Sequence, residues 1–275
     1  MNKRCWAEVD LEQLERNVRA YAETAQGMEI MAVVKADAYG HGDRQVAGRL
    51  QNMGIAHFAV SNIDEGIRLR GTGIRGQILL LGYTPVERAE ELAEYDITQA
   101  LLSEEYAERM AGTGIPVKCQ FAIDTGMRRI GLNAENPEAC EAVIRKYAGR
   151  LNVNGLFTHL CVADTPDQDA FTEKQIARFE EVARRVADLR LPFCHCMNSA
   201  GGLWHHTALS RMVRLGIIMY GLKPDTANVL PTGIQPVMSW KSVISLVKEV
   251  RAGDTVGYGR TFTAPRSMRL ATIPA

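Results

Sequence analysis

Short aliphatic runs alternate with longer polar segments along most of the chain. Eight runs of β-branched or aliphatic residues recur in order: Glu29–Lys35, His57–Val60, Gln77–Leu81, Ile97–Leu101, Val117–Asp124, Val153–His159, Phe193–Asn198 and Met212–Ile218. The segments between them have helical periodicity, as in Thr172–Leu189, where apolar residues recur at spacings of three and four. This alternation is typical of parallel βα units and not of a β sandwich.

Eight βα repeats between about residue 29 and residue 221 predict an α/β fold, a (β/α)8 TIM barrel. A doubly wound open sheet is the alternative interpretation. The number of runs favours the barrel, because a barrel closes with eight strands whereas an open sheet has no reason to stop there.

The ends of the chain predict a second, smaller domain. Residues 1–10 contain an isolated strand, Cys5–Val9, that we expect to associate with it. The barrel would occupy residues 11–222. It would begin with a helix that is capped by Asp10 and that buries Leu11, Leu14, Val18 and Tyr21. A linker rich in Pro, Gly, Thr and Asn covers residues 223–236, and residues 237–275 predict the start of an all-β domain. So short a domain would bury too little apolar surface to be stable alone, which suggests truncation or completion by a partner.

Composition limits the class of partner. Thirty-two basic and 32 acidic residues balance, so no overall field attracts nucleic acid or an anionic membrane, and a small-molecule substrate fits better. No apolar stretch is long enough to span a bilayer or act as a signal peptide, which predicts a cytoplasmic protein. The six cysteines are then expected to be reduced thiols.

The segment Ala32-Val33-Val34-Lys35-Ala36-Asp37-Ala38-Tyr39-Gly40-His41-Gly42 places a lysine at the carboxyl end of the first barrel strand. Barrels carry their chemistry at that end. Desolvation against Val33 and Val34 would lower the pKa of Lys35 and make its amine available for a Schiff base. A strand-end lysine that points to solvent is the alternative.

A metal site at Phe193–Cys196 is not predicted. Alternate residues of a strand point to opposite faces, so Cys194 and Cys196 would share one face while His195 takes the other.

The lysine segment resembles the alanine racemases, a family of fold-type III enzymes that use pyridoxal 5′-phosphate, and the resemblance extends over nearly the whole chain. Five further segments match that family in order and spacing: Asp124-Thr125-Gly126-Met127-Arg128-Arg129-Ile130-Gly131, Thr158-His159, Asn198-Ser199-Ala200-Gly201, Val213-Arg214-Leu215-Gly216-Ile217 with Tyr220-Gly221, and Val256-Gly257-Tyr258-Gly259-Arg260-Thr261.

The resemblance implies two catalytic residues. Lys35 would bind the cofactor covalently and act as acid or base on one face of the substrate Cα, and Tyr258 would serve the other face. Racemisation needs such a pair, because one group removes the proton and another returns it from the opposite side. In the family the tyrosine reaches the neighbouring subunit, which implies a homodimer.

The resemblance also implies the cofactor contacts. Arg214 would contact the pyridine nitrogen, with His159 and His195 in its network, whereas related decarboxylases place a glutamate there. Because a permanent cation disfavours protonation of that nitrogen, the electron sink is weakened and transamination is suppressed. The cofactor contacts further comprise Tyr39, Asn198, Ser199, Gly216 and Ile217, of which Tyr39, Ser199 and the amides of Gly216 and Ile217 would hold the phosphate.

Arg129 matches the family arginine that contacts the phenolic oxygen of the cofactor and the substrate carboxylate. Many relatives carry a carbamylated lysine two residues before the aspartate of this motif, and here that position is Ala122. An anion, a water or another acid replaces that support, or Arg129 is less restrained.

These features predict a racemase that interconverts L- and D-alanine for peptidoglycan synthesis. Three alternatives stay open: a serine or broad-specificity racemase, a protein that binds pyridoxal phosphate without efficient catalysis, and an unrelated Schiff-base aldolase barrel.

Overall fold

The computed structural model of the protein describes residues 4–25, 27–225 and 229–274. Its strands are β1 (Cys5–Val9), β2 (Glu29–Val33), β3 (His57–Val60), β4 (Gln77–Leu80), β5 (Ile97–Leu101), β6 (Lys118–Asp124), β7 (Leu132–Asn133), β8 (Asn152–Phe157), β9 (Phe193–His195), β10 (Met197–Asn198), β11 (Met212–Leu215), β12 (Met238–Ser242), β13 (Leu246–Val250), β14 (Thr255–Val256), β15 (Phe262–Thr263) and β16 (Met268–Thr272). Its helices are α1 (Leu11–Thr24), α2 (Lys35–Gly40), α3 (Asp43–Asn52), α4 (Ile63–Gly71), α5 (Ala89–Glu94), α6 (Glu104–Gly112), α7 (Pro137–Ala148), α8 (Asp169–Arg185) and α9 (Gly201–Trp204). The described chain divides into two units, residues 4–10 with 238–274, and Leu11–Val237.

The unit Leu11–Val237 is a barrel of parallel strands. Its strands follow the order β10-β11-β2-β3-β4-β5-β6-β8-β9, with β7 paired to β6 outside this path. β9 and β10 are two halves of one strand, interrupted at Cys196; β9 pairs with β8 and β10 with β11, so the seventh strand closes the barrel. The predicted TIM-like barrel is confirmed, and the doubly wound alternative is wrong.

Several predicted runs end earlier than the sequence pattern indicated. β2 ends at Val33, so that Lys35 begins a turn instead of ending the strand. β11 ends at Leu215, and Ile217–Tyr220 forms a 3-10 turn. Helix α8 runs from Asp169 to Arg185 and is followed by a 3-10 turn, where the pattern predicted one helix over Thr172–Leu189.

Alternate residues of the barrel strands fill its interior. Small and large apolar side chains are packed together there: Met31, Val33, Ala59, Leu79, Ala100, Ala122, Phe157 and Met212. Gln120, His195 and Arg214 are also buried. Residues two apart on a strand point to the same face, so Gln120 points inward with Ala122, and Arg214 with Met212. Polar side chains therefore share the interior with apolar ones.

Helix α1 buries Leu14, Val18 and Tyr21, while Leu11 is only half-buried. Its stripe also contains the buried Asn17, whose Nδ2 donates to the carbonyl oxygens of Met219 (3.0 Å) and Gln235 (2.8 Å). The segment predicted as a linker therefore contacts helix α1 at residue 235. Residues 226–228 of that segment lie outside the described residues.

The other unit consists of two-stranded antiparallel pairs. β1 pairs with β12, β13 with β16, and β14 with β15. The last strand, β16, pairs with β13 from Met268 to Thr272.

Three chemical features bear on possible partners. No helix in the described ranges is both long and apolar enough to cross a membrane. None of the six cysteines is in a disulfide bond. In the same ranges, no group of three or more His, Cys, Asp or Glu side chains is arranged to hold a metal ion.

Candidate active site

A cavity of about 460 Å³ opens at the carboxyl ends of the barrel strands. Its walls come from Val33, Lys35, Tyr39, Ser61, Leu81, Gly82, Ala122, Ile123, Asp124, Met127, Arg129, Ile130, Phe157, Thr158, His159, Asp164, Asn198, Ser199, Ala200, Arg214, Gly216, Ile217 and Pro224. Nine of the ten candidate site residues therefore lie around one cavity, and the tenth is Tyr258. The cavity lies at the end of the barrel where barrel enzymes carry their chemistry.

Lys35 is followed by a left-handed turn. Ala36, Asp37, Ala38 and Tyr39 all have φ between 51° and 54°, a region in which L-residues place Cβ too close to the backbone. Gly40 and Gly42, at φ of 83° and 91°, complete the turn with residues that adopt this conformation freely. Strain of this kind persists where the surrounding structure enforces it, and it is concentrated at functional sites.

Hydrogen bonds from outside the turn enforce its shape. The Ala36 N–H donates to Glu65 Oε1 at 2.9 Å, and the Asp43 N–H donates to Asp37 Oδ1 at 2.9 Å. The other oxygen of Glu65 accepts from both the N–H (2.8 Å) and the hydroxyl (2.9 Å) of Ser61. The buried Glu65 carboxylate therefore ties the lysine turn to the end of β3.

The environment of Lys35 favours its neutral amine. Burial is the main reason that its pKa is lowered, the charge of Arg129 lowers it further, and Glu65 acts in the opposite direction. A neutral amine is the nucleophile required for a Schiff base.

Arg214 is almost fully buried at the end of β11 and donates to the loops around it. Its Nη1 lies 2.6 Å from His195 Nδ1 and 3.2 Å from the His195 carbonyl oxygen. Its Nη2 donates to the carbonyl oxygens of Thr158 and Cys196. The Nε–H has no protein acceptor among the described residues, which leaves it for the cavity that Arg214 lines.

The two histidines of this network are neutral. Desolvation and the Arg214 charge hold the pKa of His195 well below its usual range. Burial first, and then the charges of Arg214, Arg129 and Lys35, lower the pKa of His159 to about 3. Burial likewise lowers the pKa of Arg214 to about 10, so the guanidinium stays a cation at neutral pH.

Tyr39, Ser199 and Gly216 surround a small space. The Ser199 hydroxyl accepts from the Gly216 N–H at 2.8 Å. A Cβ on Gly216 would lie 3.2 Å from the Tyr39 hydroxyl and 3.8 Å from Ser199 Oγ, and would fill that space. Ile217 begins the adjoining 3-10 turn, so its N–H has no acceptor within the turn. The hydroxyls of Tyr39 and Ser199 and the N–H of Ile217 are donors that suit an anion such as phosphate.

Asn198 supports the wall beside this space. Its Nδ2 donates to the Leu160 carbonyl at 2.9 Å, and its Oδ1 accepts from the Gly201 N–H at 2.8 Å. It thereby connects the loop after β8 to helix α9.

Arg129 is an exposed guanidinium at the cavity wall and makes no hydrogen bond or ion pair with any residue in the described ranges. Ala122 is buried in the barrel interior. The neighbouring Arg128 has a left-handed φ of 58°, and its guanidinium is paired with Glu135 at 2.8 Å. Of the two neighbouring arginines, Arg129 is therefore the one whose guanidinium is available to bind a carboxylate.

Tyr258 belongs to the smaller unit. It begins the 3-10 turn Tyr258–Arg260, and its side chain is fully exposed.

Glu65 and Gln175 are supporting residues that the sequence did not single out. The Asn62-x-x-Glu65 spacing is typical of a helix start, and Asn62 does cap α4, but nothing in it shows that the carboxylate reaches Ala36. Gln175 Nε2 donates to Thr125 Oγ1 (3.1 Å) and to the His159 carbonyl oxygen (3.2 Å). The only indication in the sequence was that Gln175 is a polar residue in the buried stripe of α8.

The donor set of the cavity fits pyridoxal 5′-phosphate. A lysine of lowered pKa suits the aldehyde, the Arg214 Nε–H suits the ring nitrogen, and the space that a Cβ on Gly216 would fill suits the phosphate.

Sequence profiles agree with this geometry. The family profile described as the N-terminal domain of alanine racemase matches residues 9–224, and that of the C-terminal domain matches residues 237–275. The chain belongs to the alanine racemase family. Members of this family are racemases, a class of isomerase enzymes.

Individual racemases are similar over nearly the whole chain. An alanine racemase of Ligilactobacillus salivarius is 38% identical over 273 residues, 97% of this chain and 73% of that protein. An amino-acid racemase of Enterococcus faecalis is 36% identical over 98% of this chain, which spans only 39% of that longer protein.

Solved structures of racemases share the fold. The crystal structure of alanine racemase from E. faecalis has a TM-score of 0.91 at 30% identity, covering 99% of this chain and 75% of that one. A histidine racemase from Leuconostoc mesenteroides has a TM-score of 0.85 at 29% identity, covering 99% and 74%.

Proposed function

We propose that this racemase uses pyridoxal 5′-phosphate to interconvert L- and D-alanine, and that it supplies D-alanine for peptidoglycan in the bacterial cytoplasm. The observation that carries the proposal is the arrangement around one cavity of Lys35, the Arg214 Nε–H and the space between Tyr39 and Ser199. These groups are separate in sequence and match three different parts of the cofactor.

Each group has a distinct role in holding the cofactor. The Tyr39 and Ser199 hydroxyls and the Ile217 N–H would hold the phosphate, with the Gly216 N–H orienting the Ser199 hydroxyl. Lys35 would bind the aldehyde carbon, and the Arg214 Nε–H would donate to the ring nitrogen. Bound in this way, the cofactor supplies a ring that accepts negative charge from Cα of the amino acid. Arg214 is a cation at neutral pH and would disfavour protonation of the ring nitrogen, which would weaken the ring as an acceptor of that charge.

The protein moves the Cα proton with two bases. Lys35 takes or returns it on one face, and its lowered pKa favours the neutral amine that accepts a proton. Tyr258 acts on the other face and is contributed by the second subunit of a homodimer. Its full exposure within one chain is consistent with a role across a subunit boundary.

Arg129 binds the substrate carboxylate. It faces the cavity, and no acid in the described part of the chain neutralises it, so its charge is available to the amino acid. A guanidinium binds a carboxylate through two parallel hydrogen bonds, which fixes the direction of Cα.

A serine or broad-specificity racemase is the second candidate. Proteins named amino-acid racemase and histidine racemase resemble this chain as well, so the family accommodates side chains larger than methyl. Arg129 makes no hydrogen bond or ion pair with any described residue, so its guanidinium is free to adjust to amino acids of different size. A protein that binds the cofactor without turnover is the third candidate.

One experiment separates these candidates. The protein is incubated with pyridoxal phosphate and with L-alanine, L-serine or L-histidine, and the D-enantiomer is measured by chiral chromatography. A cofactor absorbance band with D-alanine as main product supports the proposal. A band without any D-product identifies a binding protein, and equal rates on all three substrates identify a broad racemase.

The matched control is a pair of lysine variants. Lys35→Ala should abolish both the band and turnover, whereas Lys118→Ala, at an exposed lysine paired with Asp96, should retain both. A Lys35→Ala protein that kept full activity would contradict the assignment.

A further inference from the structure

A buried glutamine extends the Arg214 network into the barrel. Gln120 Oε1 lies 2.9 Å from His195 Nε2, and both residues are fully buried. Gly155 on β8 leaves room for this amide, because a Cβ there would lie 3.0 Å from Gln120 Cδ and 2.4 Å from the Phe193 carbonyl oxygen. Arg214, His195 and Gln120 therefore form a continuous chain from the cavity wall to the barrel interior.

The direction of each hydrogen bond in this chain is fixed. A guanidinium can only donate, so His195 Nδ1 must accept from Arg214 and the ring proton must be on Nε2. His195 Nε2 then donates, and Gln120 must present its oxygen. The amide nitrogen of Gln120 is left buried without a partner in the described structure, an arrangement that lowers stability.

The charged and titratable groups near His195 oppose a positive charge on its ring. Arg214 at 2.6 Å and His57 are the charged or titratable groups that act on it. The Phe157 ring stacks on it at 5.6 Å between centroids. A protonated His195 would carry a hydrogen on both nitrogens and could no longer accept from Arg214.

We propose that Gln120 is a positioning residue that keeps His195 a neutral acceptor for Arg214, so that the Arg214 Nε–H stays directed at the cofactor ring. This inference rests on the proposed function for its last step only. A neutral amide is the required partner, because a carboxylate at position 120 would stabilise the imidazolium form of His195 and compete with the hydrogen bond to Arg214.

The decisive measurement is the 15N spectrum of the histidine rings in the protein without cofactor. The two ring nitrogens give widely separated signals in a neutral ring and similar signals in an imidazolium. We expect wild-type His195 to be the neutral Nε2–H tautomer from pH 6 to 9. An imidazolium or an Nδ1–H tautomer in the wild type would overturn the proposal, whatever the behaviour of the variants.

The variant that tests Gln120 is Gln120→Glu, which keeps the size and the acceptor and adds a charge. Its His195 signals should move toward those of an imidazolium as the pH falls from 9 to 6. Unchanged His195 signals over this range would show that the neutrality of residue 120 is irrelevant and would refute the proposal.

The barrel offers a matched control at its other end. Gln77 Oε1 lies 3.2 Å from His57 Nδ1 at the start of β4 and β3, and Glu29 Oε2 lies 3.5 Å from His57 Nε2. Gln77→Glu therefore adds a carboxylate beside a histidine that lies away from the cavity. This variant should alter the His57 signals and leave those of His195 neutral. A shift of His195 to imidazolium in this control would also contradict the proposal.

Kinetics connect the network to the reaction. In Gln120→Glu, kcat for alanine should fall about tenfold or more and acquire a new ionisation between pH 6 and 9, with KM changed much less. Gln77→Glu should retain wild-type kcat. If the His195 signals respond as expected but the wild type racemises nothing, the positioning role stands and the proposed function fails.

Discussion

The Glu65 carboxylate accepts the N–H of Ala36 at 2.9 Å, which joins the helix after β3 to the residue that follows Lys35. Because the same carboxylate also accepts two hydrogen bonds from Ser61, one acidic side chain holds the reactive lysine turn in its left-handed conformation. Glu65 is also the group that raises the pKa of Lys35 against the effect of burial.

Replacing Glu65 should therefore weaken the turn. Glu65→Ala leaves three N–H or O–H donors without this acceptor and should lower the free energy of unfolding by about 3 kcal/mol. Urea denaturation measures this, with the exposed Glu90→Ala as the control that should change little. Equal stability of the two variants would contradict the role of Glu65.

Substitution of Gly216 should weaken cofactor binding. The backbone of Gly216 has φ of −119° and ψ of −106°, outside the regions that L-residues favour, and an added Cβ would occupy the space beside the Tyr39 hydroxyl. We expect Gly216→Ala to raise the Kd for pyridoxal phosphate about tenfold or more, a loss of about 1.4 kcal/mol or more.

Gly48 provides the control, because it lies in α3 with an ordinary φ, and a Cβ added there would have no neighbouring atom within 4 Å. Gly48→Ala should leave cofactor binding unchanged and stabilise the helix by up to about 1 kcal/mol. Identical Kd values for Gly216→Ala and the wild type would exclude a phosphate beside Gly216.

The neutral His159 should make the protein less stable in acid. Its pKa is about 3 in the folded protein, mainly through burial, against about 6.5 in an unfolded chain. Between these values the unfolded chain binds a proton that the folded chain does not. The free energy of unfolding should therefore fall as the pH decreases from about 6.5 toward 3, by up to about 1.4 kcal/mol per pH unit for this residue.

Urea midpoints at several pH values between 7.5 and 4.5 measure this dependence. His159→Gln should have a smaller slope than the wild type, and the exposed His206→Gln should have the same slope as the wild type. Parallel curves for His159→Gln and the wild type would show that His159 does not contribute.

The two-base proposal predicts an asymmetric defect in Tyr258→Phe. With Lys35 intact, one enantiomer of alanine should still exchange its Cα hydrogen with D2O, while the other exchanges at least about 100-fold more slowly. Proton NMR of each enantiomer measures both rates. Because Tyr258 is exposed, the stability should not change. Equal slowing of both enantiomers would count against a role on one face.

Much of the fold was predictable because its signals are local. The aliphatic runs marked every barrel strand to within a few residues, and short motifs at the strand ends contained nine residues that line one cavity. Parallel strands bring their carboxyl ends together, so adjacency at the site follows from strand order alone.

The remaining features depend on contacts between distant segments. Val33 and Val34 continue the aliphatic run into Lys35, so the pattern extended β2 into a turn that is set by Glu65, 30 residues away in sequence from Lys35. The interruption of the seventh strand at Cys196 arises because its two halves pair with different neighbours. Gln120 gave only the signal of a polar residue in an apolar strand, and its partner is 75 residues distant.

The backbone from Ala36 to Tyr39 has the left-handed conformation that D-residues prefer. The conformation that costs energy for L-residues would therefore be favourable for D-residues at the same positions. Chemical ligation with D-alanine at positions 36 and 38, both alanine in this chain, would place each methyl group on the unhindered side of the same backbone. The turn beside Lys35 would then form without the support of Glu65, and β-branched L-residues are the substitutions that it should tolerate least.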